Sequence, residues 1–181
     1  MRNGLQVLKD KNQRNLVGVE IGVWRGHNAL SILQNLDIRM LYLVDSYLLY
    51  PEYNHNEILS HTDMEANKAE ARELLKPYED RITWVIKKAH DAKDDIPNEL
   101  DFVYIDGNHS TIAVVLDMID YYPKVKAGGF FSGHDIWKPE MRPSIDKFAR
   151  DRGYEISLYD KPDNQTWDQA GIDLMDWWWA K

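Results

Sequence analysis

The sequence predicts an α/β fold built on a doubly wound, mostly parallel sheet of seven strands that ends in an antiparallel hairpin. Three observations carry that prediction. Short apolar runs of strand length alternate with helix-period segments along the 181 residues, the pattern of repeated β-α units. The last two strand-like runs, Tyr154 to Tyr159 and Ile172 to Trp179, have no helical segment between them, so they are expected to pair antiparallel. The residues with most chemistry to offer fall just after the predicted strands, where open parallel sheets bind their ligands.

Leu16 to Val23 is a short apolar run broken by one acid and closed by glycine, and predicts a buried first strand. His27 to Leu36 predicts a helix, with Leu30, Leu33 and Leu36 on one side. Met40 to Val44 is a second strand ending at Asp45. Thr62 and Glu65 form a capping-box pair that opens a helix to about Leu75. Ile82 to Ile86 and Leu100 to Ile105 are the third and fourth strands. Ile112, Val115, Leu116 and Ile119 have the spacing of an amphipathic helix that ends near Pro123. Ala127-Gly128-Gly129 predicts a turn before a fifth strand at Phe130 to Gly133. Pro143 suits a first helical turn, Ile145, Phe148 and Ala149 share a face, and Gly153 suits the C-terminal cap. No linker or repeat interrupts the order, so residues 1–181 are read as a single domain.

Composition narrows the function. The chain is 44% hydrophobic and 29% charged, as ordinary globular proteins are. It has no apolar run long enough to span a bilayer and no apolar stretch behind Met1-Arg2-Asn3-Gly4 to make a secretory signal. It contains no cysteine, which removes disulfides and thiolate chemistry and fits a cytoplasmic setting. The formal charge of −8 argues against a nucleic acid partner, because phosphate backbones are held chiefly by basic surfaces. Neither a membrane nor a nucleic acid is expected as partner; a small molecule is.

The strand ends gather Glu20 to His27, Asp45 to Tyr47, Lys88 to Asp91, Asp106 to Ser110 and Gly133 to Trp137. They include four of the six histidines and a carboxylate in every group. Gly22 and Gly26 permit a tight turn and close approach of a ligand to backbone, and Asp45 can accept hydrogen bonds from a ribose diol. Together they read as a nucleoside site, with a nicotinamide dinucleotide or S-adenosylmethionine as candidates. The glycine spacing is not the dinucleotide G-x-G-x-x-G.

Three segments then resemble class I S-adenosylmethionine methyltransferases. They are Glu20-x-Gly22-x-x-x-Gly26 with Asp45, the run Leu100-Asp-Phe-Val-Tyr-Ile-Asp106-Gly-Asn-His109-Ser110, and Gly128-Gly129-Phe-Phe-Ser-Gly133-His134-Asp135. The last two in combination are similar to the bacterial subgroup known as methyltransferase family 24, over most of the chain. The resemblance implies the Rossmann-like methyltransferase fold and S-adenosylmethionine as cofactor. It implies Glu20, Gly22, Trp24 and Gly26 around the methionine part and Asp45, with Ser46 beside it, at the ribose. It places Ala89, His90 and Asp91 near the adenine and Asp106 at the reacting methyl. The class pattern has a glycine between Gly22 and Gly26 where this chain has Trp24, whose indole can pack against the cofactor or cover it.

Methyl transfer from a sulfonium is an in-line displacement that needs alignment and exclusion of water. An oxygen acceptor also gives up a proton, and His109 and His134, after neighbouring strands, are candidate general bases beside Asp106. Asp106 and Asp135, with His134 or His109, are also candidate ligands for a divalent metal, whether magnesium, manganese or zinc, which would hold a hydroxyl acceptor and lower its pKa. Some oxygen methyltransferases place acidic metal ligands after the same two strands, with Asp-Asn where this chain has His134-Asp135. The stretch from Tyr47 to Asn56, with His61 beyond, reads as a binding loop or an ordinary surface loop. Trp177 and Trp179 share one face of the last strand and Trp178 the other; an exposed indole there would mark a homo-oligomer contact.

The expected reaction is therefore methyl transfer to a small acceptor, an oxygen of a sugar or another hydroxylated metabolite. Two rivals stand beside it. One is a nicotinamide oxidoreductase, disfavoured by the glycine spacing and the missing Tyr-x-x-x-Lys pair. The other is a non-catalytic cofactor-binding or interaction protein on the same fold.

Overall fold

The structure is a computed structural model that describes residues 3–50, 63–136, 139–158 and 176–181. Among the described residues, and 3-10 turns aside, six α-helices and seven strands succeed one another: α1 (Asn3–Asp10), β1 (Leu16–Ile21), α2 (His27–Asn35), β2 (Ile38–Val44), α3 (Met64–Leu75), β3 (Ile82–Val85), α4 (Ala89–Ala92), β4 (Leu100–Ile105), α5 (Thr111–Tyr121), β5 (Val125–Gly133), α6 (Arg142–Arg150), β6 (Ser157–Leu158) and β7 (Trp177–Ala180). The seven strands form one sheet in the order β3-β2-β1-β4-β5-β7-β6. The first five pair parallel, β7 runs antiparallel against β5, and β6 antiparallel against β7. None of the described helices is long and apolar enough to cross a membrane.

Alternation along the buried strands sends successive side chains to opposite faces, and each face carries a core. Val17, Val19, Ile21, Val103 and Phe131 pack with Ala92, Val114, Met118, Ile145 and Phe148 of α4, α5 and α6. Leu41, Leu43, Phe102 and Tyr104 pack on the other face with Leu5, Leu8, Ile32, Leu33, Ala71 and Leu75 of α1, α2 and α3. The predicted doubly wound sheet is thus present.

Several boundaries differ from the sequence expectation. α1 is new: Leu5 and Leu8 are buried, but two leucines in an eight-residue polar segment give no readable period. α3 is capped by Asp63, whose carboxylate accepts from the Ala66 N–H at 3.0 Å; Thr62 lies outside the described residues. Ala127-Gly128-Gly129 is not a turn before β5 but an irregular stretch within it, where pairing shifts register between Leu100 and Phe102. Ser157–Leu158 is all that is described of the sixth strand, while Tyr159 and residues 171–175 lie outside. Trp177 and Trp179 share a face as expected, both buried, stacked 5.3 Å apart at 24°.

The largest correction concerns α5. Ile112, Leu116 and Ile119 are 75%, 40% and 49% exposed, and the buried face is Val114, Asp117, Met118 and Tyr121. By sequence Asp117 reads as solvent-facing, because an acid marks a solvent face in most helices, yet it is buried. Here Tyr121 Oη donates to the Ala89 carbonyl at 2.8 Å and ties that face to α4. Met118→Ala is therefore expected to cost about 2–5 kcal/mol, whereas Ile112→Lys stays within about 0.5 kcal/mol; urea denaturation of the two variants checks the assignment.

Candidate active site

In this strand order the chain moves outward from β1 to β3, then returns to the other side of β1 as β4. The carboxyl ends of β1 and β4 flank the point where the order reverses, which is where such sheets bind ligands. The residues just past the strands are stitched to one another by main chain. Gly22 N–H donates to the Val44 carbonyl at 2.9 Å and Asp45 N–H to Val85 at 3.2 Å. On the other side Asp106 N–H donates to Ile21 at 2.7 Å and His134 N–H to Ile105 at 2.9 Å. Each residue following a strand thus bonds the last carbonyl of the strand next door, and the sequence-predicted positions form one row.

Gly22 has a left-handed φ of 88°, and a Cβ there would lie 2.1 Å from the Asp106 carbonyl oxygen. A glycine is needed on both counts. Asp45 holds the rest of the turn: one carboxylate oxygen accepts from the Val23 and Trp24 N–H groups, each at 2.9 Å, and the other from Tyr47 N–H at 2.8 Å. The residue expected at a ribose is therefore first the organiser of the glycine turn, with lone pairs beyond those three bonds. Trp24 keeps a left-handed φ of 49° and a half-exposed indole, with the Arg25 guanidinium 4.9 Å from its ring centroid. Glu20 is buried and accepts from Asn28 Nδ2 at 2.8 Å. The carboxylates of Glu20 and Asp45 and the first turn of α2 offer partners for ammonium, hydroxyl and carboxylate groups respectively. That donor set fits S-adenosylmethionine.

Beside this turn lies a cleft lined by Asp106, Gly107, Asn108, His109, Val114, His134, Asp135 and Met141. His134 Nδ1 stands 3.2 Å from Asp135 Oδ1 and 3.5 Å from Asp106 Oδ1. His109 Nδ1 meets the other oxygen of Asp135. Burial alone would raise the Asp135 carboxyl; hydrogen bonds from His109 and His134, and their charge, outweigh it and hold the group well below the usual carboxylate range. Asp135 also takes a left-handed φ of 61°. The turn is braced from behind, where Trp177 Nε1 donates to the His134 carbonyl at 3.0 Å. Gly133, paired with Trp177, leaves room for that indole, since a Cβ would lie 2.4 Å from it.

The structure thus brings Asp106, His109, His134 and Asp135 into one cleft, with Gly22 against Asp106 and Gly107 at its edge and Asp45 on the far side of the glycine turn. Ala89, His90 and Asp91 stand apart after β3. His90 Nδ1 is 2.7 Å from Asp120 Oδ2, and Lys93 Nζ donates to the other Asp120 oxygen at 3.4 Å. Ser46 Oγ lies 3.2 Å from Tyr50 Oη. His55, His61, Trp137 and the loop over residues 51–62 lie outside the described residues. Sequence reading missed Asn28, Asp120, Met141 and the Trp177 brace. Asn28 alone left a signal, as the polar second residue of the helix after the glycine pair.

Residues 19–136 match the family described as Methyltransferase domain, methyltransferase family 24. An uncharacterized protein of Acanthamoeba polyphaga mimivirus is 25% identical over 141 residues, which cover 75% of this chain and 60% of that protein; the chain thus spans less than two thirds of that relative. Among solved structures, precorrin-6y C5,15-methyltransferase from Geobacter metallireducens superposes with a TM-score of 0.61 at 16% identity, over 86% of this chain and 73% of the other. A Streptococcus mutans protein with a methyltransferase description, solved in complex with SAH, superposes with a TM-score of 0.66 at 8% identity, over 99% and 98%. At such identities these two structures show the shared fold.

Proposed function

Because the chain belongs to the methyltransferase domain family that matches residues 19–136, we propose that it moves a methyl group from S-adenosylmethionine to a small acceptor, at an oxygen of a sugar or another hydroxylated metabolite. The observation that carries this reading is the contact of the Gly22 turn with Asp106 at the switch point. It sets a nucleoside-binding edge against a cleft of two carboxylates and two imidazoles.

When bound, the cofactor supplies a methyl group made electrophilic by its sulfonium. The chain's residues bind, align and deprotonate. Glu20, Gly22 and Gly26 flank the methionine part, Asp45 faces the ribose, and Asp106 faces the reacting methyl. His109, whose side chain is 33% exposed, takes the acceptor's proton, and Asp135 orients its ring. His134, with a side chain only 5% exposed, serves less well as a base because water and acceptor reach it poorly. Asp106, His134 and Asp135 are the residues that would hold a divalent cation, magnesium by the sequence expectation, and the cation would act as a Lewis acid on the hydroxyl. The formal charge of −8 supports a small acceptor over a nucleic acid, and a cysteine-free chain supports a cytoplasmic setting.

Calorimetric titration tests the cofactor. Saturable binding of S-adenosylmethionine, with no heat from NADH, is expected; binding of NADH alone, or of neither, overturns the reading. His109→Ala is expected to lower turnover about 10²–10⁴-fold in a release assay for S-adenosylhomocysteine with the hydroxylated acceptor found by screening. Cofactor affinity should be unchanged; turnover equal to wild type would remove His109 from the reaction.

A further inference from the structure

We propose that the cleft binds a first-row transition-metal ion in preference to magnesium, with His134 Nδ1 as the ligand that sets the preference. This rests on the methyltransferase reading only for the use of the ion; the site itself is argued from the side chains.

Asp106, His134 and Asp135 each offer one ligand atom, and the three atoms lie within 4.8 Å of one another. Of the separations from His134 Nδ1, 3.2 Å to Asp135 Oδ1 falls within the edge length of a coordination polyhedron and 3.5 Å to Asp106 Oδ1 lies just beyond it. Two ligands about 2.1 Å from one ion, set at octahedral to tetrahedral angles, stand about 3.0–3.4 Å apart. The Asp135 carboxylate is also held from behind, as metal ligands usually are, and the other two residues are fixed through their main chain. His109 engages the second oxygen of Asp135. His134 is fixed through its N–H on Ile105 and its carbonyl under the Trp177 indole, and Asp106 through its N–H on Ile21.

The donor set decides the ion. Magnesium favours an all-oxygen shell at near-ideal octahedral geometry and gains little from an imidazole. A neutral imidazole nitrogen binds Mn²⁺, Fe²⁺, Co²⁺, Ni²⁺ and Zn²⁺ with rising strength along that series, apart from the fall after copper. Two carboxylates offset the charge of any divalent ion, so they do not discriminate; the nitrogen does. A pair of acids after β5 would favour magnesium. This chain has His134-Asp135, and only the first position differs in hardness.

Chelator-stripped protein is titrated with MnCl₂, ZnCl₂ and MgCl₂ by calorimetry, and the Mn²⁺ complex is examined by pulsed electron paramagnetic resonance. One Mn²⁺ or Zn²⁺ per chain is expected, bound at least tenfold more tightly than Mg²⁺, with nitrogen modulation from one imidazole in the Mn²⁺ spectrum. His134→Asp is expected to remove that modulation and to lower the ratio of Mn²⁺ to Mg²⁺ affinity at least tenfold, and Asp106→Asn to weaken every ion about 10–100-fold. Tighter binding of Mg²⁺ than of Mn²⁺, a Mn²⁺ complex without nitrogen modulation, or no ion bound by wild type overturns the proposal. The wild-type spectrum decides even where a variant does not fold. S-adenosylmethionine titrated into the same stripped protein separates the two readings: a protein that binds the cofactor but takes up none of the three ions refutes the metal site and leaves the methyltransferase reading standing, whereas uptake of Mn²⁺ or Zn²⁺ without cofactor binding overturns the methyltransferase reading alone.

Discussion

Gly22→Ala is expected to abolish S-adenosylmethionine binding in calorimetry and to destabilise the protein by about 2–5 kcal/mol, from a left-handed residue's strain and overpacking together. The new Cβ would fall 2.1 Å from the Asp106 carbonyl oxygen and 2.6 Å from Gly107 Cα, both main-chain atoms of the neighbouring turn. Relief would need β1 and β4 to separate at their carboxyl ends. That would break the Asp106 N–H bond to Ile21 and shift Asp106 away from the glycine turn. Gly128→Ala is the control. Gly128 also has a positive φ, 76°, but nothing lies within 4 Å of its Cβ position, so about 1 kcal/mol of backbone strain is expected with cofactor binding unchanged. Equal loss of binding in both variants would show that stability, not the contact with Asp106, governs the site.

Asp117→Asn is expected to stabilise the protein at neutral pH, by an amount that vanishes in acid. The carboxyl is buried on the inner face of α5, and burial, with the nearby charge of Asp120, pushes it up to about 8 from its ordinary 3.8. Between those values the unfolded chain has lost the proton and the folded chain keeps it. Stability therefore falls as pH rises through that window, and is greatest below the unfolded value, where both states are protonated. At about 1.36 kcal/mol per unit, the ceiling at pH 7 is about 4 kcal/mol. An asparagine carries no such proton, so urea denaturation at pH 4 and pH 7.5 should show near equality at the first and a more stable variant at the second. A variant no more stable at pH 7.5 than at pH 4, relative to wild type, would mean that the ionised Asp117 finds a partner in the fold.

The same helix shows where sequence reading stops. Apolar residues at positions 112, 115, 116 and 119 have a helical period, and period alone selected that stripe as the inner one. The fold buries the neighbouring stripe instead, because Tyr121 has a carbonyl to bond on α4 and Met118 fills the core beneath. Neither fact is visible in a hydropathy pattern, and a buried Asp117 argues against itself. The sheet was legible for the opposite reason: strands buried on both sides are nearly continuous apolar runs, and Leu100 to Ile105 is found at its predicted bounds. The cleft was legible in part, since parallel strands align their carboxyl ends and so gather whatever follows them. The partners that hold the cleft's residues in place were not. Trp177 lies more than forty residues from His134, and Asp120 thirty from His90; nothing local links them.

The row of main-chain bonds at the strand ends bears on substitution. Asp106 and His134 are tied to the adjoining strands through their amide N–H, a group that every residue except proline possesses. These main-chain bonds are therefore independent of the two side chains, and a substitution at either position leaves the strand-end row itself in place. Under the proposed function, a change of side chain at these two positions alters what the cleft presents while the strand-end frame stays unchanged.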